Sequence, residues 1–398
     1  MSVEFISVNL AKALIAKHIE TLEAINCALT DASGLVLADD VYSKNDSPPF
    51  NQSSMDGYAI NFNGWEQNGD LFIRDTSPAG PISKQFIKPN EAVRIFTGAA
   101  IPEGADTVVM QEKVIVKNEL IQINDPNIKP GINFRAKGTE FKSGELILEK
   151  NSKLTAAATG FLAGAGIDRV KVYPHPSVCI ILTGDELQQP GAPLTHGQVY
   201  ESNSFTLSAA LKQAGISSIN LLSSEDKLET LVKTLKEALK SNDIVLLTGG
   251  VSVGDYDFVI RAAEACEVKQ IFHKIRQKPG KPLYFGKLGR KSIFGLPGNP
   301  ASVLSCFYEY VLPALGQISR IDRRLKTIYV PLGVSLSKPI GLTQFIRAYY
   351  DGHTLRGLKG QESFRLSSFA HANCLIQLDE EKTEFKENEI VEVHLLPQ

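Results

Sequence analysis

The stretch SVCIILTGDEL (177–187) decides the fold, because an apolar run of strand length ends there at a glycine followed by two acids. The same order recurs in DIVLLTGGVSVGDYD (243–257), and SIFGLPGNP (292–300) is a third apolar run that ends in a glycine turn. Helical patterns over 204–214 and 228–239 lie between the first two runs. Strands that alternate with helices of this length indicate βαβ units. We therefore predict a doubly wound, mostly parallel α/β domain.

The sequence on either side of this block is richer in short strands. Between about 50 and 150, apolar runs alternate with Gly, Pro, Asn and Asp, which predicts a β-rich module. After about 322 the chain returns to strand patterns, which predicts a small all-β domain. We therefore divide the chain into an N-terminal helical linker region with the inserted β-rich module (1–173), an α/β domain (174–321) and a C-terminal β domain (322–398).

Two further helices are predicted outside the α/β block. Apolar residues at helical spacing predict an amphipathic helix from residue 1 to about residue 30. The small-residue run LTAAATGFLAGAGI, between 153 and 167, predicts a buried helix.

Composition narrows the class of protein. The 398 residues are 43% hydrophobic and 22% charged, and the formal net charge is −2. These values are typical of a globular protein and exclude a disordered chain or a coiled coil. A charge this close to zero gives no general attraction to nucleic acid or to an anionic membrane, so neither is an expected partner.

Cysteine, histidine and targeting patterns exclude several kinds of site. The five cysteines form no CxxC pair and the seven histidines form no HxH or HExxH motif, so the sequence does not support a zinc site. The N-terminus lacks the pattern of a signal peptide, and the longest apolar stretch (156–167) is too short to cross a bilayer. We expect a cytoplasmic protein.

The loops after the first two strands are candidate ligand-binding segments. Ligands of open parallel sheets bind at the carboxyl ends of strands, and glycines there let the backbone approach a phosphate. The loop amides and Ser252 could donate to phosphate oxygens. The acids in the same loops would repel a phosphate unless Mg²⁺ bridged the two, so magnesium is the expected metal. The alternative is a pair of glycine-rich turns with solvated acids; the acids concerned are Asp185, Glu186, Asp255 and Asp257.

Three further motifs carry charge or helix-start signals. KIRQKPGKP (274–282) has four cations within eight residues and two prolines, so it is either a rigid cationic clamp for an oxyanion or a solvated turn. GLPGNP (295–300) precedes a helix and is either an anion site at the helix N-terminus or a capped helix start. SSMDGYA (53–59) contains an acid that either faces a ligand or forms a turn. Together these motifs predict a site for a phosphate-bearing small molecule.

Seven segments together resemble one family, the molybdopterin molybdenumtransferases (molybdenum insertases), which includes the E domain of gephyrin. They occur in the family's order over essentially the whole chain: NQSSMDGYA, RIFTGAAIPEGADTVVMQE, TGDEL, TGGVSVGDYD, KPGKP, GLPGNP and LSSFAHAN. The resemblance implies an enzyme of molybdenum cofactor biosynthesis that takes adenylylated molybdopterin and molybdate, releases AMP and inserts molybdenum. It also implies elongated, multi-domain subunits that form a homodimer, with a site between one subunit's α/β domain and the other's β module.

The resemblance further implies roles for residues at the matching positions. The implied catalytic residues are Asp56, Thr97, Glu186, Asp226, Asp257, Lys274, Lys278 and Lys281. The implied cofactor-binding residues are Thr248, Gly249, Gly250, Ser252, Gly254, Pro297, Gly298, Pro300, Arg347, Ser367 and Ser368. The implied magnesium ligands are Asp56, Glu186 and Asp257. One position departs from the family, because Glu140 follows Gly138-Thr139 where an aspartate is usual.

Two other functions compete with the insertase. A carrier would bind molybdopterin without inserting metal, and a scaffold would use the fold to anchor a partner, as the E domain of gephyrin does. The presence of Asp56, Glu186 and Asp257 favours the enzyme over the scaffold. A separate molybdopterin adenylyltransferase is the expected functional partner of the enzyme.

Overall fold

The computed structural model describes residues 5–80, 84–250 and 258–397, and within it the chain forms two compact units. The large unit contains residues 1–25, 34–36 and 172–398, and the small unit contains residues 26–33 and 37–171. The predicted α/β and C-terminal β domains both fall in the large unit. Among the described residues, no helix has both the length and the apolar character needed to cross a bilayer.

The described chain contains both helices and strands in each unit. The helices are α1 (Val8–His18), α2 (Phe62–Asn68), α3 (Ala156–Gly164), α4 (Asn203–Gln213), α5 (Leu228–Ser241), α6 (Phe258–Ala265), α7 (Pro300–Cys306), α8 (Leu312–Ile318) and α9 (Ser367–Ala370). The π-helical turn Phe307–Val311 joins α7 to α8, and short 3₁₀ turns lie at Leu29–Asp31 and Gln111–Lys113.

The first strands belong mainly to the small unit. They are β1 (Ile25–Ala28), β2 (Val36–Leu37), β3 (Val41–Tyr42), β4 (Gln52–Ser53), β5 (Gly57–Ile60), β6 (Leu71–Ser77), β7 (Glu91–Ile95), β8 (Thr107–Met110), β9 (Val114–Lys117), β10 (Leu120–Ile123), β11 (Phe134–Arg135), β12 (Leu146–Leu148) and β13 (Arg169–Tyr173).

The remaining strands belong to the large unit. They are β14 (Val178–Thr183), β15 (Leu187–Gln188), β16 (Val199–Tyr200), β17 (Ile219–Ser224), β18 (Ile244–Thr248), β19 (Lys269–His273), β20 (Gln277–Lys278), β21 (Tyr284–Leu288), β22 (Lys291–Leu296), β23 (Lys326–Pro331), β24 (Leu336–Ser337), β25 (Thr343–Tyr350), β26 (Leu355–Gly357), β27 (Cys374–Leu378), β28 (Glu384–Phe385) and β29 (Ile390–Leu395).

The small unit is built around a six-stranded sheet in the order β8-β5-β7-β6-β10-β9. Strand β5 lies between β8 and β7 and pairs with both in antiparallel fashion. All four of its residues are buried, because a central strand is covered on both faces. This sheet confirms the predicted β-rich N-terminal region.

The central sheet of the large unit has the order β17-β14-β18-β22-β21-β19. Strands β17, β14, β18 and β22 pair in parallel, whereas β21 pairs in antiparallel fashion with both β22 and β19. On β14, Val178 and Ile180 pack with residues of α4 and α7, whereas Cys179 and Ile181 pack with residues of α5 and α6 on the other face. Helices cover both faces of a mostly parallel sheet, which confirms the predicted α/β architecture.

The C-terminal residues form a second six-stranded sheet, in the order β20-β25-β27-β29-β23 with β26 paired to β25. The edge strand β20 comes from the cationic segment 274–282 rather than from the C-terminal sequence. It pairs in parallel with β25, with Gln277 opposite Thr343 and Lys278 opposite Gln344. The cationic segment is therefore tied to the C-terminal sheet by its backbone.

The predicted helix over residues 1 to about 30 is wrong beyond His18. Helix α1 begins after Ser7, whose hydroxyl accepts a hydrogen bond from the Leu10 amide, and the backbone is extended at Ile19. The side chain of Gln317 donates to the carbonyls of Ala16 and Ile19, both at 2.8 Å. These contacts satisfy carbonyls at the helix end, which local periodicity cannot predict.

The predicted buried helix over 153–167 is also wrong in part. Helix α3 spans Ala156–Gly164 and is capped by the Thr155 hydroxyl, which accepts from the Ala158 amide. Among its nine residues, all of them described, only Leu162 is buried. Alanine and glycine have little apolar area to remove from water, so this run does not require burial.

Helix α1, the π-helical turn and the C-terminal sheet are joined by a buried charge network. Glu309 is 3% exposed and accepts from Lys12 Nζ at 2.6 Å and from His394 Nδ1 at 2.7 Å. The other ring nitrogen of His394 lies 2.9 Å from Glu392 Oε1. Both ring nitrogens face carboxylates, which favours the doubly protonated cation.

The network moves the pKa values of its two central groups in opposite directions. Burial alone would lower the pKa of His394, but the hydrogen bond and charge of Glu309 outweigh it and raise the pKa. Burial alone would raise the pKa of Glu309, but Lys12 and His394 outweigh it and lower the pKa. Protonated His394 therefore stabilises the fold at acid to neutral pH, and this contribution is lost as the pH rises through the raised pKa of His394.

We predict that His394→Gln destabilises the full-length protein by about 2 kcal/mol near pH 6, because it removes one of the two cations that pair with the buried Glu309 carboxylate and leaves only Lys12. The difference in melting temperature between wild type and variant should shrink as pH rises from about 6 to about 9, since the wild-type histidine then loses its proton. Thermal unfolding across this range measures both effects. The matched control is His196→Gln at an exposed position; a pH-independent gap for His394→Gln would contradict the assignment.

Candidate functional site

Three parallel strands of the large unit end at one edge of the sheet. Thr183 closes β14, Thr248 closes β18 and Leu296 closes β22. The Thr183 hydroxyl donates to the Thr248 carbonyl at 3.1 Å, and the Gly249 amide donates to the Leu296 carbonyl at 3.3 Å. These bonds hold the loops that follow the three strands against one another.

Gly249 allows the closest of these approaches. Its φ is +86°, and a Cβ atom at this position would lie 2.8 Å from Thr183 Oγ1 and 2.9 Å from the Thr183 carbonyl oxygen. A Cβ on Gly298 would lie 3.7 Å from the Gly249 Cα. Any residue with a side chain at position 249 would therefore push the strand ends apart, so the shape of the site requires glycine there.

A cavity of about 530 Å³ opens at this edge. Its walls come from the glycine loops, the cationic segment, the start of α7 and two residues near the C-terminal sheet. The lining residues are Thr183, Gly184, Glu186, Asp226, Gly249, Gly250, Gln277, Lys278, Pro279, Gly280, Lys281, Pro282, Pro297, Gly298, Asn299, Ser302, Leu342 and Ser363.

One wall of the cavity is cationic. Lys278 lies in β20 and is held by the pairing of that strand with β25. The Lys281 carbonyl accepts from the Ile275 amide at 2.9 Å, and its ammonium lies 4.6 Å from the centre of the Phe5 ring. Lys274 is buried and does not line the cavity. The predicted clamp therefore presents two lysines to the cavity, because the turn directs the third inward.

Another part of the cavity lining, the acidic wall, contains carboxylates. Glu186 and Asp226 line the cavity, and the Asp226 amide donates to Asp185 Oδ1 at 3.3 Å. The pKa of Asp226 is raised, first by partial loss of solvent and then by the negative charges of Asp185 and Glu186. A cation near these acids would relieve that repulsion. Carboxylate oxygens are the ligands that Mg²⁺ prefers, and the usual site needs one or two of them, so this wall fits magnesium.

The described residues do not contain a complete protein-made metal site. No group of three or more potential ligands among His, Cys, Asp and Glu is close enough to hold a metal within the described ranges. Asp257, an implied ligand, lies outside these ranges, and Asp56 belongs to the small unit. Any magnesium on this wall would therefore need further oxygens from water or from the substrate.

The turn before α7 is anchored from two sides. The Asn203 side chain donates to the Gly298 carbonyl at 2.9 Å, and the Asn299 side chain donates to the Ser363 hydroxyl at 2.9 Å. The Ala301 amide donates to the Ser363 carbonyl at 3.1 Å. Pro300 is the first residue of α7, as predicted for a helix start. The cavity wall at this point is held by both α4 and the segment before α9.

Arg347 and Ser368 lie behind the cavity wall rather than in it. Arg347 is fully buried, and its Nε donates to the Ser368 hydroxyl at 3.0 Å. Its Nη2 donates to the carbonyls of Gly360 and Glu362, while its buried Nη1 has no hydrogen-bond partner among the described residues. Burial lowers the pKa of Arg347 to about 10, although Glu362 opposes the shift. Arg347 therefore holds in place the segment that contains Ser363, and Ser363 lines the cavity.

The small unit contains a separate pair of predicted residues. Asp56 Oδ1 accepts from both the amide and the hydroxyl of Thr97, each at 2.7 Å. These hydrogen bonds lower the pKa of Asp56, so the carboxylate is ionised at neutral pH. A second cavity of about 440 Å³ in this unit is lined in part by Arg135 and Glu140, and Glu140 accepts from the Ser47 hydroxyl at 2.9 Å.

Family models match three consecutive parts of the chain. The MoeA N-terminal region (domain I and II) matches residues 6–166, a probable molybdopterin binding domain matches 179–317, and the MoeA C-terminal region (domain IV) matches 329–396. The chain is 35% identical over 380 residues to the molybdopterin molybdenumtransferase of Haemophilus influenzae, covering 92% of this chain and 94% of that protein. It belongs to the molybdopterin molybdenumtransferase (MoeA) family.

Other members agree with this assignment. The molybdopterin molybdenumtransferase of a Nostoc species is 38% identical over 307 residues, covering 75% of this chain and 70% of that protein. Two structures of the molybdopterin biosynthesis MoeA protein from Pyrococcus horikoshii have TM-scores of 0.83 and 0.76 at 28% and 29% identity. They cover 98% and 99% of this chain, and the match covers 99% and 100% of theirs. The family resemblance and the fold predicted from the sequence are confirmed.

The predicted MoeA-family site residues fall into four groups in this structure. Glu186, Asp226, Gly249, Gly250, Lys278, Lys281, Pro297 and Gly298 line one cavity. Thr248, Lys274, Pro300, Arg347, Ser367 and Ser368 belong to the same unit but do not line that cavity. Asp56 and Thr97 form a pair in the small unit. Ser252, Gly254 and Asp257 lie outside the described residues.

Sequence reasoning missed several residues of the cavity wall. Gln277, Asn299, Ser302 and Ser363 were not predicted, although Gln277 directly precedes the KPGKP segment and Asn299 lies within GLPGNP. For Gln277 and Asn299, a position in or beside a motif was the signal that could have identified them. Ser363 lies in no motif, and its contacts with Asn299 and Ala301 form only in the folded chain.

We predict that Gly249→Ala lowers the stability of the full-length protein by about 2 to 3 kcal/mol, since a Cβ atom would strike Thr183 and φ is positive. The matched control is Gly191→Ala, where φ is +92° and a Cβ atom would meet nothing within 4 Å. That control carries only the backbone cost, about 1 kcal/mol. Thermal unfolding compares the two, and equal losses would refute the close contact at Gly249.

Proposed function

We propose that this molybdopterin molybdenumtransferase inserts molybdenum from molybdate into adenylylated molybdopterin and releases AMP. The observation that carries the proposal is the single cavity with Lys278 and Lys281 on one wall and Glu186 and Asp226 on the other. An adenylylated pterin contains a phosphoanhydride, which is an anionic group that calls for cations, backbone amides and a divalent metal. The segment 274–282 supplies the cations, the loops after β14 and β17 supply the carboxylates for a metal, and the glycine loops after β14 and β18 supply backbone amides.

The cationic wall would act on the charge of the phosphoanhydride. Lys278 and Lys281 are positioned by backbone pairing and turn geometry, so their charge is available before the substrate arrives. Preorganised cations of this kind stabilise charge that develops on the leaving group as a phosphoanhydride is cleaved. Molybdate is itself an oxyanion, and the same amides and cations suit its binding.

The acidic wall would hold Mg²⁺ together with phosphate oxygens of the substrate. Magnesium supplies charge neutralisation between the phosphate oxygens and the carboxylates. Glu186 and Asp226 are the residues of the described chain that fit this role, and the raised pKa of Asp226 is the supporting observation. Asp257 and the Asp56–Thr97 pair remain assigned to the reaction by the family resemblance.

We further propose, from the family resemblance, that the protein forms a homodimer and lies in the cytoplasm. A separate molybdopterin adenylyltransferase would supply its substrate. The division into regions 1–173, 174–321 and 322–398 is likewise part of the proposal.

The direct test is AMP release from adenylylated molybdopterin by the full-length protein, with Mg²⁺ and with or without molybdate. We expect AMP release that depends on molybdate and stops when a chelator removes Mg²⁺. Tight pterin binding without AMP release under either condition would overturn the insertase in favour of a carrier. Neither binding nor release would favour a scaffold.

A variant of the cationic wall tests the mechanism within the same assay. Lys278→Ala should lower the turnover number about 100-fold with an unchanged melting temperature, because it removes one preorganised cation from the leaving group. The matched control is Lys233→Ala, an exposed lysine on α5. Full activity of Lys278→Ala would remove Lys278 from the mechanism.

A further inference from the structure

The cationic turn of the cavity rests on a buried glutamine. Gln277 is 1% exposed, and its Nε2 donates to the carbonyls of Pro279 at 3.0 Å and Gly280 at 3.2 Å. Its Oε1 accepts from the hydroxyl of Tyr310, which is also 1% exposed. Both amide hydrogens and the amide oxygen therefore have partners, and the three contacts fix the orientation of the side chain.

Tyr310 makes this arrangement rigid from the other side. It lies in the π-helical turn between α7 and α8, which is buried along its length. Burial raises its pKa well above the usual range, so the hydroxyl keeps its proton and remains a donor. The glutamine amide is thereby held by a helix rather than by the turn it supports.

The turn packs tightly against the buried side chain of Gln277. Gly280 has a φ of +92°, and a Cβ atom there would lie 2.5 Å from Cys306 Sγ and 2.8 Å from Gln277 Nε2. Cys306 is fully buried and lies 3.6 Å from Gln277 Nε2. The backbone between Lys278 and Lys281 therefore packs directly against Gln277 and Cys306.

An apolar residue of equal size would not replace Gln277. It would leave the Pro279 carbonyl without a donor and the Gly280 carbonyl with only the weak thiol donor of Cys306, and under-satisfied buried acceptors are destabilising. A polar side chain in this core is therefore explained by the turn, whose two lysines are exposed. Their position depends on the backbone that carries them.

We propose that Gln277 and Tyr310 act as a brace that positions Lys278 and Lys281 at the cavity, and that both are positioning residues for the reaction. The brace rests on the proposed function only for its catalytic consequence; its effect on the turn does not depend on any substrate. Gln277 touches the turn and Tyr310 touches Gln277, so loss of either should loosen the same segment.

The first test measures the turn without substrate. The full-length wild type, Gln277→Leu and Tyr310→Phe are acetylated with N-acetoxysuccinimide, and the rate at Lys278 and Lys281 is followed by mass spectrometry. We expect both lysines to be acetylated faster in the variants than in wild type, because the turn that carries them would be loosened. The Lys281 ammonium, in addition, would no longer be held at the Phe5 ring. Acetylation of Lys233 should keep its wild-type rate.

The second test measures AMP release. Gln277→Leu should lower kcat about tenfold, because a small displacement of a catalytic cation costs rate, while KM for adenylylated molybdopterin changes far less. Tyr310→Phe should lower kcat in the same direction by a smaller factor, and it is the milder variant if Gln277→Leu unfolds. The double variant should fall no further than Gln277→Leu, because the two residues act through one contact.

Gln317→Leu is the matched control. Its Nε2 also donates to two carbonyls, those of Ala16 and Ile19, but it braces α1 rather than the cationic turn. Equal acetylation rates and equal kcat in wild type and Gln277→Leu would overturn the brace, and so would the same changes in Gln317→Leu. If wild type releases no AMP, the proposed function fails, and the acetylation rates alone decide the brace.

Discussion

The close contact between Gly249 and Thr183 is the constraint on which the site depends. It brings the ends of β14 and β18 together without an intervening side chain, and the Gly249 amide reaches the end of β22. A larger residue would push these ends apart and fill the cavity between them. The parallel sheet therefore supplies the site through its geometry before any charged residue contributes.

The cationic wall is held from several parts of the large unit. The N-terminal segment contributes Ile6, whose carbonyl accepts from the Arg276 amide at 2.8 Å, and Phe5, whose ring lies beside Lys281. Strand β25 pairs with β20, and the π-helical turn contributes Tyr310. The formal net charge of −2 gives no general attraction to an anionic substrate, so the attraction must come from local groups of cations such as this turn.

The sequence was sufficient for those features that depend on local pattern. Apolar runs followed by glycine predicted β14, β18 and β22, and the motif GLPGNP predicted the start of α7. Position in a motif also predicted that Glu186 and Lys278 would face one cavity. The family resemblance implied Asp56 and Thr97 only as separate site residues; their hydrogen bonds are seen in the structure, where the register of β5 with β7 brings the two together.

The features that the sequence did not predict depend on contacts between distant segments. Helix α1 ends at His18 because Gln317 satisfies its last carbonyls, and no local pattern contains that information. The role of Gln277 depends on Tyr310, and the burial of Arg347 depends on carbonyls of the segment before α9. A buried polar side chain is defined by its partners, which only the folded chain brings together.

The most direct measurement of the central claim is a crystal structure of the full-length protein with adenylylated molybdopterin and Mg²⁺ in the absence of molybdate. The account predicts that the phosphoanhydride lies in the cavity at the ends of β14, β18 and β22, within hydrogen-bond distance of Lys278 or Lys281 and of a backbone amide in the loop after β18. Ligand bound elsewhere, with this cavity empty, would contradict it.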